Sequence, residues 1–442
     1  MKIIIHPARA VTLAFLGTSL AGMLLLMLPA ARASGTAAPP LVALFTSVSA
    51  VCVTGLVTVD TGTYWSTFGQ AVIMVLFQLG GFGMMTAATL LGLMVNRSPR
   101  LRARLMTQTE TRLLGLGDVS SVARIVLAVT LVSQALIAAV LTLRLHFAHG
   151  LGWQEAGWSG LFHAVSSFNN AGFSIHADSL VRYADDALIL LPLLLGFLVG
   201  GIGFPVLHDL RMRLRDPRHW SLHTKLTLTG SAVLLLGGFL AVILFEWNNA
   251  RTLGPLDLAD KLVNSLFISA AARTSGFNTV DIAALTQETW ALHYFLMFVG
   301  GGSAGTAGGV KVSTIAVLFL LVLAELKGHS DTEAFGRRVG ASAQRQAITV
   351  LVLGSVLVVF GTLVLLRLTD FPLDQVIFEV ISAFSTAGLS TGITAQLPAA
   401  GQAVLVLLMF FGRVGTITLA TSLVLGERRM PYRYPEEHPI VG

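Results

Sequence analysis

Residues 49–62 read "SAVCVTGLVTVDTG", and three later stretches repeat the plan: "SSFNNAGFSIHADS" (166–179), "AAARTSGFNTVDIA" (270–283) and "SAFSTAGLSTGITA" (382–395). Each has a short run bearing hydroxyl or amide groups, then a glycine (Gly55, Gly172, Gly276, Gly388), then Leu or Phe (Leu56, Phe173, Phe277, Leu389). The glycines recur about every 110 residues, which points to four copies of one unit.

The surroundings say what the unit is. The chain has 442 residues, 54% hydrophobic and 12% charged, with a mean hydropathy of +0.76. A soluble domain is about 25% charged, so the composition is that of a polytopic membrane protein. Apolar stretches of spanning length fall near 11–29, 67–95, 122–145, 186–207, 226–247, 289–325, 346–368 and 401–425. Between the members of each pair lies a shorter half-apolar segment, at 41–51, 157–168, 258–272 and 374–384. At about 1.5 Å per residue these reach only about halfway through a bilayer core. Pro40, Pro255 and Pro372 suit the first turns of three of them.

Each unit therefore reads opening helix, half-helix, glycine-bearing extended loop, closing helix. The expected fold is an all-α polytopic membrane protein with four tandem helix–pore helix–filter loop–helix units, pseudo-fourfold about one pore. The units run 1–96, 97–210, 211–326 and 327–426, with a tail at 427–442. Glycine clusters at 79–83, 199–203, 299–309 and 411–415 are expected to interrupt every closing helix.

Basic residues gather after the closing helices, among them Arg97, Arg100, Arg102, Arg104, Arg112 and Arg124, then Arg211, Arg213, Arg215, Arg218 and Lys225. Lys327, Arg337, Arg338, Arg345, Arg428, Arg429 and Arg433 continue the pattern, with Lys2 and Arg9 at the start. The opposite loops hold mostly acids, such as Asp60, Asp178, Asp186 and Asp281. This charge bias predicts cytoplasmic termini, with the glycine loops dipping in from outside. It also argues against a nucleic-acid partner, because no basic stripe forms. The first residues resemble a signal peptide ending Ala-Arg-Ala, but retention as an opening helix matches the other three units. The lone Cys52 excludes an intrachain disulfide and reads as a packing residue.

Non-helical backbone at membrane depth must be buried or line a watery cavity. Four such loops most economically converge on one axis, where their carbonyl oxygens replace the water shell of a cation. Glycine permits the backbone region that aims carbonyls inward. Each half-helix C-terminus adds roughly −0.5 charge toward the axis.

The combination of "CVTGL", "NNAGF", "ARTSGF" and "STAGL" with "GGSAGTAGGVKVST" (301–314) and "FFGRVGTITLA" (410–420) resembles the bacterial Trk/Ktr/HKT potassium-transporter superfamily. It is closest to the KtrB-type membrane subunits, and the likeness covers essentially the whole chain. The resemblance implies K⁺ uptake across the bacterial inner membrane through a homodimer with one pore per subunit, often stimulated by Na⁺. It implies no covalent cofactor. A nucleotide (ATP/ADP or NAD) would act only through a cytoplasmic regulatory ring of the KtrA/TrkA type.

The expected selectivity filter comprises Cys52, Val53, Thr54 and Gly55; Asn169, Asn170, Ala171 and Gly172; Arg273, Thr274, Ser275 and Gly276; and Ser385, Thr386, Ala387 and Gly388. K⁺ would sit at the carbonyls of the four glycines. With one glycine per unit, fewer coordination shells are built than in a Gly-Tyr-Gly filter, so weaker K⁺/Na⁺ discrimination follows. Asn169 and Asn170 either add ligands or brace the loop. Arg273 should turn behind the filter to meet an acid or loop carbonyls, and His163 reads as a satisfied buried histidine.

Residues 300–309 hold six glycines and so cannot form a stable helix. The family equivalent of this loop is an intramembrane gate, here Gly300, Gly301, Gly302, Ser303, Ala304, Gly305, Thr306, Ala307, Gly308 and Gly309. Lys311 and Arg413 are too costly to face lipid. Lys311 either snorkels outward or joins the gate, and Arg413 either caps freed carbonyls or holds the loop shut. Two rivals fit less well. An ion-coupled secondary transporter of another solute would favour midplane acids, yet acids touch the spans only near their ends, at Glu246 and Glu325. An intramembrane enzyme would need a catalytic constellation, and no HExxH or nucleophile elbow is present.

Overall fold

The computed structural model describes residues 7–95 and 119–415, with side chains described over 11–83 and 124–415. Most of the basic loop 97–124, the tail and Lys2 lie outside these residues, as does the side chain of Arg9.

All four units take the expected order. Opening helices are Pro7–Leu26, Val119–His149, Leu222–Glu246 and Ala341–Leu368. Half-helices are Pro40–Val51, Trp153–Phe168, Leu258–Ala271 and Leu373–Ser385. Pro40 occupies the first turn of its helix, whereas Pro372 is an N-cap and Pro255 precedes the N-cap Asp257 of the third half-helix, so neither sits in the first turn expected for it. Three helices among the described residues, Arg124–His149, Leu222–Glu246 and Ala341–Leu368, are long and apolar enough to cross a membrane. The large side chains Leu240, Leu244, Phe360 and Leu363 on them stay exposed, as lipid contact requires.

In lipid the helices gain little from apolar burial, so close backbone approach and polar bonds must hold them together. Each of the first three half-helices pins itself this way to another helix of its own unit. Ser47 Oγ donates to Ser19 O at 2.7 Å, Ser167 Oγ to Leu193 O at 2.5 Å and Ser269 Oγ to Leu235 O at 2.9 Å. Gly22, Gly196 and Gly238 face those same serines, where a Cβ would meet Oγ at 2.4–2.5 Å.

The glycine clusters interrupt the closing helix as expected in three units and not in the first. In the first unit Gly80, Gly81 and Gly83 lie inside an unbroken helix, Thr67–Val95. In the second, Ala187–Ile202 and Phe204–Arg213 meet at a 96° bend at Gly203. In the third, Gln287–Phe298 and Val312–Leu326 are separated by loop 299–311. In the fourth, Ala399–Phe410 widens into a π-turn at Phe411–Gly415. What three units share is proximity. A Cβ on Gly80 would lie 2.0 Å from Val51 O, one on Gly200 1.9 Å from Phe168 O, and one on Gly412 1.7 Å from Phe384 O. These glycines let the closing helices of those three units press on the C-terminal carbonyls of their own half-helices.

A short antiparallel hairpin, Glu333–Ala334 with Arg337–Arg338, joins the last two units.

Candidate functional site

Each glycine loop begins where its half-helix ends. The residue before the glycine turns its N–H back onto that helix: Thr54 N to Ser49 O at 2.7 Å, Ala171 N to Ser166 O at 2.8 Å, Ser275 N to Ala271 O at 3.1 Å and Ala387 N to Ser382 O at 2.8 Å. The glycines are left-handed, with φ of 91, 68, 77 and 84° in chain order, and so are the residues two earlier, Val53, Asn170, Thr274 and Thr386, at 57, 56, 76 and 50°. Alternating left-handed residues along an otherwise extended loop aim successive carbonyls to one side. For Val53, which is β-branched, the conformation is strained, and such strain concentrates at functional sites.

The four loops touch in a closed cycle. A Cβ built on Gly55 would lie 2.5 Å from Ala171 O, and one on Gly172 would lie 2.8 Å from Ser275 O. One on Gly276 would lie 3.1 Å from Ala387 O, and one on Gly388 would lie 2.1 Å from Thr54 O. Every glycine thus faces the carbonyl that precedes the next loop's glycine. The hydroxyls of Thr54, Thr274, Ser275, Ser385 and Thr386 are buried here without a protein hydrogen-bond partner. Above the ring opens a vestibule of about 300 Å³, lined by all four glycines and by Asp60, Ser174, His176 and Ser390.

The remaining expected residues divide. Cys52 lies in an apolar cluster with Phe45, Leu56 and Val376. Asn169 Nδ2 donates to Gln78 Oε1 at 2.7 Å and to Val165 O at 2.9 Å. Asn170 Nδ2 donates to Thr306 Oγ1 at 2.6 Å and to Phe197 O at 3.2 Å. Both amides brace their loop. Arg273 does turn behind its loop, into a cavity of about 20 Å³ lined by Asn170, Gly201, Ser231, Gly301 and Ala307. The acid or carbonyl partner expected for it is not there: Nε and Nη1 bond no protein group. Its place beyond the half-helix C-terminus sets the cation against a negative dipole end, which offsets part of the missing pairing. His163 is satisfied, with Nδ1 2.8 Å from Ser159 O and Nε2 2.9 Å from Ser174 Oγ.

Loop 299–311 passes beneath the ring. Gly302 N donates to Gly201 O at 2.8 Å and Thr306 N to Gly200 O at 3.1 Å, which ties the loop to the bend in the second closing helix. On the fourth unit's side, a Cβ on Gly308 would lie 2.5 Å from Ser385 O. Arg413, 1% exposed, donates from Nη1 to Thr306 O. Lys311 does not snorkel; its Nζ folds back to Ala307 O at 2.6 Å.

Sequence reasoning missed one residue. Glu379 sits in the middle of the fourth half-helix, fully buried, so acids are not confined to the ends of apolar segments. Short half-helices look too polar to be scored as spans, and an acid inside one is passed over. Of the outer acids, Asp60 lines the vestibule, Asp281 caps a turn through Ala283 N at 3.0 Å, and Asp178 pairs with Arg182 at 2.7 Å. No group of His, Cys, Asp and Glu able to hold a metal ion occurs among the described residues.

Residues 9–428 match the family model described as TrkH, cation transport protein. The Ktr system potassium uptake protein B of Bacillus subtilis is 37% identical over 99% of this chain and 97% of its own length. The potassium/sodium uptake protein NtpJ of Enterococcus hirae is 34% identical over 99% and 98%. Among solved structures, the potassium transporter TrkH of Vibrio parahaemolyticus aligns with a TM-score of 0.74 over 97% of this chain and 86% of that one, at 19% identity. That last likeness speaks to the fold alone.

Proposed function

This chain belongs to the TrkH cation transport protein family, which makes it a transporter and not an enzyme, and we propose that it is the potassium-translocating membrane subunit of a bacterial Ktr-type uptake system. The observation that carries this reading is the closed cycle in which each loop glycine faces the next loop's carbonyl. It supports four pseudo-symmetric units around one path and a filter built from backbone oxygens. Buried hydroxyls on the same loops with no protein partner suit a path whose occupants are water and a partly dehydrated cation. A monovalent ion would meet carbonyls of Gly55, Gly172, Gly276 and Gly388 together with those of Thr54, Ala171, Ser275 and Ala387.

Below them the loop 300–309 is the gate. Its bonds to Gly200, Gly201 and Arg413 span from the second unit to the fourth, which would obstruct an axial path. Arg413 holds the loop through Thr306 O, and its charge raises a barrier to idle leak. Lys311 holds the neighbouring carbonyl.

On this reading the chain lies in the inner membrane with cytoplasmic termini, forms a homodimer, and is opened by a nucleotide-binding cytoplasmic ring. Na⁺ stimulation belongs to the same reading. The test is growth rescue of a K⁺-uptake-deficient bacterium, with and without a co-expressed regulator and across external Na⁺, alongside radiolabelled Rb⁺ uptake into vesicles. Uptake competed by K⁺ and not by organic solutes is the expected result. No rescue under any condition, or competition by an organic solute, would overturn the assignment.

A further inference from the structure

Thr306, in the irregular loop below the ring, is fully buried, and its hydroxyl is committed to the second unit's filter loop. Asn170 Nδ2 donates to Thr306 Oγ1 at 2.6 Å, and that hydroxyl donates its own proton to Phe168 O at 3.3 Å. Phe168 is the last residue of the half-helix, and Asn170 is the left-handed residue two before Gly172. One side chain of the gate loop therefore grips the turn that leads into Ala171 and Gly172. Its main chain is held as well: Thr306 N donates to Gly200 O at 3.1 Å, and Thr306 O accepts from Arg413 Nη1.

Asparagine tolerates left-handed backbone, which accounts for its presence at position 170, but the turn itself does not need the side-chain bond. Val53 holds the same conformation with an apolar side chain, and Thr274 and Thr386 hold it with hydroxyls that have no protein partner. Of these four residues only Asn170 bonds through its side chain, and one of its two partners lies on the gate loop. At the fourth unit the same loop makes contact instead: a Cβ on Gly308 would lie 1.9 Å from Thr386 Oγ1. Withdrawing the loop from the path must break the bonds to Asn170 and Phe168, because Thr306 travels with it.

We propose that Thr306 is a positioning residue that couples the gate to the filter, so that the ring binds a cation most tightly while the loop is in place and loosens as the loop withdraws. The proposal rests on the filter and gate readings given above. Coupling between two sites is reciprocal: if the closed gate favours the bound ring, ion binding favours the closed gate by the same factor. The device answers a conflict that every filter faces, since an ion must be held firmly enough to enter yet weakly enough to leave. Loosening on opening releases the ion toward the cytoplasm as the way clears.

The test reads gate position directly. Cys52 is the chain's one cysteine and is buried, so Ser303→Cys places a single reactive thiol in the gate loop. Its alkylation rate is measured on the full chain in detergent, in KCl against choline chloride, alongside radiolabelled Rb⁺ uptake into vesicles. K⁺ should slow labelling about fivefold, the low end of ordinary allosteric coupling. Adding Thr306→Val removes the hydroxyl and leaves the main-chain bonds; labelling should then be equally fast in both salts, and KM for Rb⁺ should rise. Thr306→Ser should restore the K⁺ dependence, whereas a Thr306 that only filled space would lose nothing in the Val variant. Equal labelling of Ser303→Cys in the two salts would overturn the proposal, as would a K⁺ dependence that survives Thr306→Val. If Thr306→Val fails to reach the membrane, Asn170→Gly, which keeps the left-handed backbone and removes the other partner, decides by the same outcomes. Gly388→Ala runs in parallel. Unimpaired uptake in Gly388→Ala would sink the filter reading itself, whereas lost uptake there beside salt-independent labelling of Ser303→Cys would sink only the coupling.

Discussion

The carbonyl cycle makes a prediction that separates crowding from backbone strain. Gly388 and Gly392 both hold left-handed φ, 84° and 94°, in the same segment. A Cβ at Gly388 lies 2.1 Å from Thr54 O, whereas one at Gly392 meets nothing within 4 Å. Alanine in a left-handed conformation costs roughly 1–2 kcal/mol at either site. Only at Gly388 must the contact also open, from 2.1 Å to an ordinary separation of 3.4 Å. That displaces the Thr54 carbonyl, or its own loop, by more than an ångström. Misplacing a preorganised group by about 1 Å costs on the order of 10²-fold in function. Gly388→Ala should therefore lose about 100-fold in Rb⁺ uptake efficiency (Vmax/KM), while Gly392→Ala, by the same principle of intact positioning, stays within about threefold of wild type. Both variants should melt at slightly lower temperature in detergent. If Gly392→Ala proves as damaging to uptake as Gly388→Ala, crowding of the ring is not the cause and the reasoning fails.

Three further outcomes follow from particular contacts. Arg413→Ala removes the bond to Thr306 O and should raise regulator-independent Rb⁺ flux at unchanged protein level; loss of the protein from the membrane would give Arg413 a structural role instead. Arg273→Met replaces a buried guanidinium whose Nε and Nη1 bond no protein group. A buried charge without a paired acid carries a desolvation cost that the helix dipole offsets only in part, so the melting temperature should hold or rise and KM for Rb⁺ should fall; a drop of several degrees would contradict this. Asp186 accepts from Arg144 and His149, both at 2.8 Å. Its burial acts to raise the pKa, but those bonds outweigh it and hold the carboxyl below its usual 3.8. A depressed folded pKa contributes stability present above the unfolded value and lost as pH falls through the folded one. Asp186→Asn should therefore melt lower than wild type at neutral pH and converge with it below about pH 4; a gap that persists in acid would refute the ion-pair account.

How far the sequence could be read depended on the range of the forces involved. The half-helices, their lengths and their order were legible because apolar patterning is local and the bilayer fixes how long a spanning helix must be. The left-handed residues two before each glycine were not legible. Val53, Asn170, Thr274 and Thr386 have no side-chain type common to all four, and none is the glycine that usually ends a helix in a left-handed turn, so the turns that fold each loop back onto its half-helix left no mark in the sequence. The glycine cluster of the first unit misled because packing overrode local propensity. Glycine reads as a helix breaker on local propensity, yet Gly80 lies within a continuous helix because a neighbouring carbonyl needs its space.

By itself, then, the sequence determined a fourfold repeat of helix, half-helix, glycine loop and helix, an irregular segment at 300–309, and the presence of Lys311 and Arg413 near it. These follow from composition and periodicity, which act along the chain. Tertiary structure decided what lies opposite what: that each glycine faces the next loop's carbonyl, that Arg413 reaches Thr306, that Arg273 turns into a cavity without an acid, and that Glu379 braces the stretch beyond Gly388. Those pairings join residues from different units, or from the two ends of a loop, and no periodicity encodes them. They exist only once close packing in lipid has forced the units together.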